Sequence, residues 1–179
     1  LRSDRLLIRP LLQAVGSSYL IERGMSFELL YEHVIAPHFA IEIRENASLG
    51  ESGGLQVLGN YSPRDDIVFI DSCLAPAMRD PRRCFTLYHE VCGHGVLQGP
   101  WLREQGHTDP AYGPLVDTSL TLEARNMEVL ERQANIMAGV TAAPMWLVDC
   151  QIYRRLRLTR VLVYSGCGEY WLGPDSRAR

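Results

Sequence analysis

The most informative stretch of this chain reads Phe85-Thr86-Leu87-Tyr88-His89-Glu90-Val91-Cys92-Gly93-His94-Gly95-Val96-Leu97. Two imidazoles on one helix face, with a carboxylate beside them and a third protein ligand, can hold a metal ion and leave one position open for water. Histidines four residues apart meet this need because they lie about 40° apart around an α-helix. Here the spacing between His89 and His94 is five.

That extra residue decides what the segment can do. On a regular α-helix His89 and His94 would lie roughly 140° apart and could not share a metal. A π-type turn, with i→i+5 hydrogen bonds, returns such positions to one face, and Gly93 would ease the distortion because it lacks a Cβ. The spacing predicts a π-type bulge. The alternative is a regular helix with two unrelated histidines, one packed and one exposed.

The flanking sequence predicts a helix from Arg79 to Leu97, with Asp80 as N-cap and Pro81 at the first position. A long loop from Gly99 to Leu115 is expected to follow, because it holds several prolines and glycines.

Upstream, Leu11–Val34 has helical periodicity that Gly16 and Gly24 divide. Alternating or apolar residues then predict short strands at 39–44, 55–58 and 67–70, and residues 60–66 form a connection between the last two.

Downstream, the pattern predicts helices at 120–142 and 144–157 and a hairpin of strands 161–164 and 169–172. This order predicts an α+β fold, with a small, mainly antiparallel sheet and packed helices in one domain spanning 1–179.

The helix at 120–142 has an apolar stripe that includes Met127, Leu130 and Ala134. Glu131 borders this stripe, so its carboxylate can point toward a packed partner helix or toward solvent. Glu128 has a simpler explanation as a surface ion pair with Arg132, four residues on.

Composition narrows the class of protein. The 179 residues are 46% hydrophobic and carry a net charge of −3, which argues against a nucleic-acid-binding surface. The basic cluster Arg154–Arg160 is the local exception, and we interpret it as a solvated helix face.

Apolar runs are too short to span a bilayer. The five cysteines are odd in number and have no C-x-x-C pair, so we expect reduced thiols and a cytoplasmic protein.

Read together, these segments resemble the ImmA/IrrE family of metallopeptidases. Proteins of this family commonly show a strand, then a stretch like R-R-F-T-L-A-H-E-L-G-H, then E-x-x-A-N-x-F-A-A-x-L-L-M-P. The matching segments here are Ile67-Val68-Phe69-Ile70-Asp71, Arg82-Arg83-Cys84-Phe85-Thr86-Leu87-Tyr88-His89-Glu90 and Glu131-Arg132-Gln133-Ala134-Asn135-Ile136-Met137-Ala138-Gly139-Val140-Thr141-Ala142-Ala143-Pro144. Order and spacing agree across roughly residues 65–146.

The resemblance implies a gluzincin-like minimal metallopeptidase domain that binds Zn²⁺. His89, His94 and Glu131 would be the zinc ligands, Glu90 the general base, and Asn135 a hydrogen-bond support for Glu131. The implied partner is a protein or peptide substrate, for which a transcriptional regulator is the family's example. The net charge and the short apolar runs described above predict neither a nucleic-acid nor a membrane partner.

This chain departs from the family pattern at three positions. The H-E-x-x-G-H spacing is not the family's usual form, although dipeptidyl peptidase III, a far longer enzyme, binds zinc with it. Tyr88 replaces a small residue, and Gln98 stands where a further histidine is frequent. A zinc-binding module without protease activity is therefore the alternative function. His107, Tyr112 and Tyr164 are minor candidates for transition-state stabilisation, and Cys92 for metal binding.

Overall fold

The computed structural model describes residues 4–52, 54–74, 81–104, 121–156, 162–165 and 169–172, which form an α+β fold, as predicted. The helical segments are π1 (Asp4–Ile8), α1 (Arg9–Val15), α2 (Ser17–Arg23), α3 (Phe27–Leu30), π2 (Tyr31–Ile35), α4 (Ala36–Phe39), α5 (Pro81–Leu87), π3 (Tyr88–Gln98), α6 (Gly99–Glu104), α7 (Thr121–Ala142) and α8 (Met145–Leu156). The strands are β1 (Glu42–Ala47), β2 (Glu51–Ser52), β3 (Leu55–Gln56), β4 (Gly59–Ser62), β5 (Ile67–Asp71), β6 (Leu162–Ser165) and β7 (Glu169–Leu172).

A three-stranded sheet with the order β1-β5-β4 forms one wall of the fold. β4 pairs antiparallel with β5, whereas β1 runs parallel to it, so this sheet is mixed. The two-stranded pairs β2-β3 and β6-β7 are antiparallel, and the second of them is the predicted terminal hairpin. β5 is central and apolar, and Val68 and Ile70 on it are buried.

β4 is the main error in the sequence-based assignment, which treated residues 60–66 as a connection. Gly59, Asn60 and Ser62 have little intrinsic preference for strands. The segment is extended because its backbone pairs with β5, where Tyr61 lies opposite Val68. Two other predicted strands differ in their bounds, since β1 begins at Glu42 rather than at residue 39 and β3 ends at Gln56. The predicted strands at 67–70 and 169–172 are confirmed as β5 and β7.

The helix that carries the histidine motif is longer than predicted. It runs through α5, π3 and α6 from Pro81 to Glu104, so the predicted loop from Gly99 is wrong over its first six residues. Leu102 is buried and Arg103 contacts Tyr61, and these contacts offset the missing N–H of Pro100. Asp80, the predicted N-cap, lies outside the described residues.

The N-terminal helices and α7 enclose the core. Gly16 and Gly24 separate the first helices, as predicted, with φ of 81° and 83°. The predicted stripe on α7 is also confirmed, because Ala134, Met137 and Ala138 are buried against the rest of the fold. Within the described part of the chain, no helix combines the length and the apolar character that crossing a bilayer requires. The four described cysteines are free thiols.

Candidate metal centre

The eleven-residue segment π3 carries both histidines of the motif. Its π-helical backbone brings His89 and His94 onto one face, where their Nε2 atoms lie 3.0 Å apart. The ring centroids are 4.7 Å apart and the ring planes nearly perpendicular, at 73°. The π-type bulge predicted from the five-residue spacing is therefore confirmed, and it extends well beyond a single turn.

Gly93, between the histidines, also has a packing role that the sequence did not predict. A Cβ at this position would lie 2.6 Å from both Cα and Cβ of Ala134 on α7. Real Cβ atoms do not approach backbone so closely, so the glycine is required for close packing of π3 against α7. This contact brings the third predicted ligand within reach of the histidines.

Glu131 extends from α7 and places one carboxylate oxygen near each imidazole. Its Oε2 lies 3.2 Å from His89 Nε2, and its Oε1 lies 3.3 Å from His94 Nε2. The imidazole side chains are 12% and 13% exposed, whereas the Glu131 side chain is 50% exposed. The ligand atoms of the three residues lie within 4.8 Å of one another, so the group could hold a metal ion.

Amide side chains orient both imidazoles through their other ring nitrogen. His94 Nδ1 lies 2.8 Å from Gln98 Oε1, and His89 Nδ1 lies 3.1 Å from Asn135 Oδ1. A neutral imidazole that donates from Nδ1 presents a lone pair at Nε2, which is the form that binds metals. Asn135 therefore supports His89 and not Glu131, contrary to the expectation from the resemblance.

The donor set suits a metal ion. Two Nε2 lone pairs and a carboxylate converge on one point, where only a proton or a cation relieves their mutual repulsion. Ligand bonds of about 2.0–2.1 Å in a tetrahedral site place neighbouring ligand atoms about 3.3 Å apart. The separations here are 3.0, 3.2 and 3.3 Å.

The pKa values of Glu131 and His94 are shifted because these side chains lie close together. Where no metal is bound, a proton on Nε2 lets an imidazole donate to the Glu131 carboxylate. Such hydrogen bonds from His89 and then His94 hold the pKa of Glu131 well below its usual range. Burial by itself lowers the pKa of His94, but contacts with Glu131, Glu90 and Gln98 outweigh burial and raise it.

Glu90 lies beside the group but is held by the sheet. Its Oε1 is 3.9 Å from His89 Nε2, and its carboxylate accepts a hydrogen bond from the backbone N–H of Tyr61 on β4. Burial raises the pKa of Glu90, against the opposing effect of His94 and His89. A Cβ at Gly59 would lie 2.7 Å from Glu90 Cγ, so this glycine leaves the space that the glutamate occupies.

A cavity of about 220 Å³ opens in front of the three ligands and Glu90. β4 forms one side of it. Asp71 N–H donates to Leu58 O, so residues 58, 60 and 62 turn their backbone groups toward β5, and Gly59 and Tyr61 turn theirs toward Glu90 and the cavity. Besides these groups, the cavity is lined by Asn60 and Gln98 and by the apolar residues Val57, Pro63, Leu102, Met127 and Leu130.

Among the remaining predicted candidates, only Cys92 is described with its side chain. His107 and Tyr112 lie outside the described residues, and Tyr164 lies on β6, where only the backbone is described. Cys92 is fully buried in the core, and burial raises the pKa of its thiol. Arg154, from the basic cluster, donates to the carbonyl of Ile21 at 3.2 Å.

Two features of the site were not predicted from the sequence: the strand β4 and the hydrogen bonds of Gln98. Gln98 stands four residues after His94, and that spacing was the available signal. The other contact of Gln98, with Leu130 on α7, depends on tertiary packing.

Comparisons with protein-family models, with curated proteins and with solved structures each yield no match for this chain.

Proposed function

We propose that this protein is a zinc-dependent metallopeptidase of the ImmA/IrrE type, with a gluzincin-like minimal domain. The observation that carries the proposal is the convergence of His89, His94 and Glu131 beside the buried carboxylate of Glu90. Two imidazoles and one carboxylate are a common ligand set of catalytic zinc sites in peptidases, and they leave a further coordination position open.

Zinc bound there would acidify water and polarise a carbonyl group. Glu90 would act as general base, taking a proton from the attacking water and passing it to the leaving amine. Burial raises the pKa of Glu90, which makes its carboxylate a stronger proton acceptor. The Tyr61 amide would keep the carboxylate aimed at the cavity.

The cavity supports a peptide as the substrate. The Tyr61 N–H is engaged by Glu90, but the backbone groups of Gly59 and the carbonyl group of Tyr61 turn toward the cavity. An extended peptide can pair with such groups as an added strand. The apolar lining favours a substrate residue with an apolar side chain next to the cleaved bond. By analogy with the family, the natural substrate would be a regulatory protein such as a transcriptional repressor. The cysteine pattern favours a cytoplasmic location.

The experiment compares wild-type protein with Glu90→Gln, using zinc content and cleavage of a mixed peptide library read by mass spectrometry. Glutamine keeps the shape of Glu90 but cannot accept a proton at neutral pH. We expect close to one zinc per chain in both proteins and a loss of about two to four orders of magnitude in rate in the variant. Glu128→Gln, on the exposed face of α7, is the matched control and should cleave like wild type.

Each result discriminates between the candidate functions. Equal cleavage by Glu90→Gln would remove Glu90 from the mechanism. A wild-type protein that binds zinc but cleaves nothing in the library would favour the zinc-binding module. Purification without any metal in chelator-free buffer would overturn the proposal.

A further inference from the structure

Gln98, the last residue of π3, is a buried side chain at the contact between two helices. It is 3% exposed. Its Oε1 lies 2.8 Å from His94 Nδ1, and its Nε2 donates to the carbonyl oxygen of Leu130 on α7 at 2.7 Å. Both ends of the amide are therefore engaged, one on each of the two helices that form the metal centre.

The contact with Leu130 fixes the orientation of the amide. A backbone carbonyl oxygen only accepts hydrogen bonds, so Gln98 must turn its NH₂ group toward Leu130 and its Oε1 toward His94. Oε1 also only accepts, so His94 Nδ1 must donate. In the neutral imidazole the lone pair then lies on Nε2, which faces His89 and Glu131.

The same contact reaches the third ligand through the backbone. The Leu130 carbonyl belongs to the peptide unit that joins Leu130 to Glu131. The Gln98 side chain thus links His94 on π3 to the peptide bond that precedes Glu131 on α7. Asn135, by comparison, orients only His89 and lies on an exposed part of α7.

We propose that Gln98 is a positioning residue that sets the tautomer of His94 and fixes the separation between His94 and Glu131. This role rests on the metal site of the proposed function. Partners that orient metal ligands typically contribute about 10–100-fold to metal affinity. Because Gln98 acts on two ligands, its loss should change the geometry of the centre as well as its affinity.

The test uses two substitutions of Gln98. Gln98→Met keeps the length and removes both hydrogen bonds, whereas Gln98→Glu keeps an acceptor for His94 and loses the donor to Leu130. The matched control is Gln151→Met, because Gln151 also donates to backbone carbonyls, those of Leu20 and Ile21, away from the site. For each protein, zinc affinity is measured by chelator competition, the cobalt(II) form by visible absorption, and the metal-free fold by circular dichroism.

We expect zinc affinity to fall about 10–100-fold in Gln98→Met, with a shifted cobalt spectrum. In Gln98→Glu, zinc affinity and the cobalt spectrum should lie between those of Gln98→Met and wild type, because the carboxylate still accepts a hydrogen bond from His94 Nδ1. Gln151→Met should bind zinc and cobalt like wild type, even where it lowers the unfolding temperature.

Unchanged affinity and spectrum in a folded Gln98→Met protein would overturn this role and leave the metal site intact. If Gln98→Met does not fold, Gln98→Glu tests the role instead. Wild-type zinc affinity and a wild-type cobalt spectrum in Gln98→Glu would show that Gln98 does not position Glu131. Weaker zinc binding with a shifted cobalt spectrum would support the role. Absence of zinc binding in the wild type would overturn the proposed function itself, and this role with it.

Discussion

The two helices that form the metal centre differ in almost every physical respect. π3 is irregular and buried, and Val91 and Cys92 between its histidines are fully buried. α7 is regular and exposed over much of its surface, where Ile136 and Val140 are 56% and 44% exposed. One helix supplies the enclosed ligands and Glu90, and the other supplies the half-exposed Glu131.

The difference shows how a five-residue spacing can work. The buried helix adopts the π form, which places two imidazoles on one face, and its surroundings hold it there. The exposed helix needs no distortion, because Glu131 and Asn135 are four residues apart and face the same way. Substitutions on π3 should therefore act through packing, whereas most positions of α7 should tolerate change and Glu131 should not.

The strongest test of this contrast is Glu131→Ala against Glu128→Ala, two acidic residues of α7 three positions apart. Only Glu131 lies beside the imidazoles. Glu131→Ala should lose most of the bound zinc and with it the stabilisation that zinc gives, about 2.7 kcal/mol at a concentration 100 times the dissociation constant. Glu128→Ala should keep both. Metal analysis and thermal unfolding with and without zinc measure this, and the reverse result would show that the ligand is misassigned.

The sequence predicted the parts of the site that depend on local spacing. The five-residue spacing of His89 and His94 predicted a π-type bulge if both bind one metal. The apolar stripe on α7 placed Glu131 at the border of a packed face. The parts that depend on tertiary contacts were not predictable in this way. β4 is extended only because β5 pairs with it, and Gly93 is required only because Ala134 packs on it.

A test of the buried helix is Gly93→Ala. The added Cβ would lie 2.6 Å from the backbone of Ala134, so π3 and α7 must separate. We expect a loss of about 1–3 kcal/mol in the free energy of unfolding, the usual range for overpacking, and weaker zinc binding because Glu131 moves with α7. Urea denaturation of the metal-free protein and chelator competition measure the two effects. Wild-type values for both would mean that the two helices are not in contact at Gly93.

The smallest effect is expected for the matching substitution on the exposed helix, Gly139→Ala. A Cβ at Gly139 meets nothing within 4 Å, and the residue lies inside regular α-helix. Alanine is preferred over glycine there by about 0.5–1 kcal/mol, because glycine loses more backbone freedom on folding. The variant should therefore be more stable than wild type by that amount and should bind zinc unchanged, since no ligand moves.

Urea denaturation of Gly93→Ala, Gly139→Ala and the double variant measures the contrast directly. One added methyl group should destabilise the buried helix and stabilise the exposed one, and the two effects should add. A loss of stability in Gly139→Ala would contradict the comparison, because it would show that this face of α7 is covered in solution.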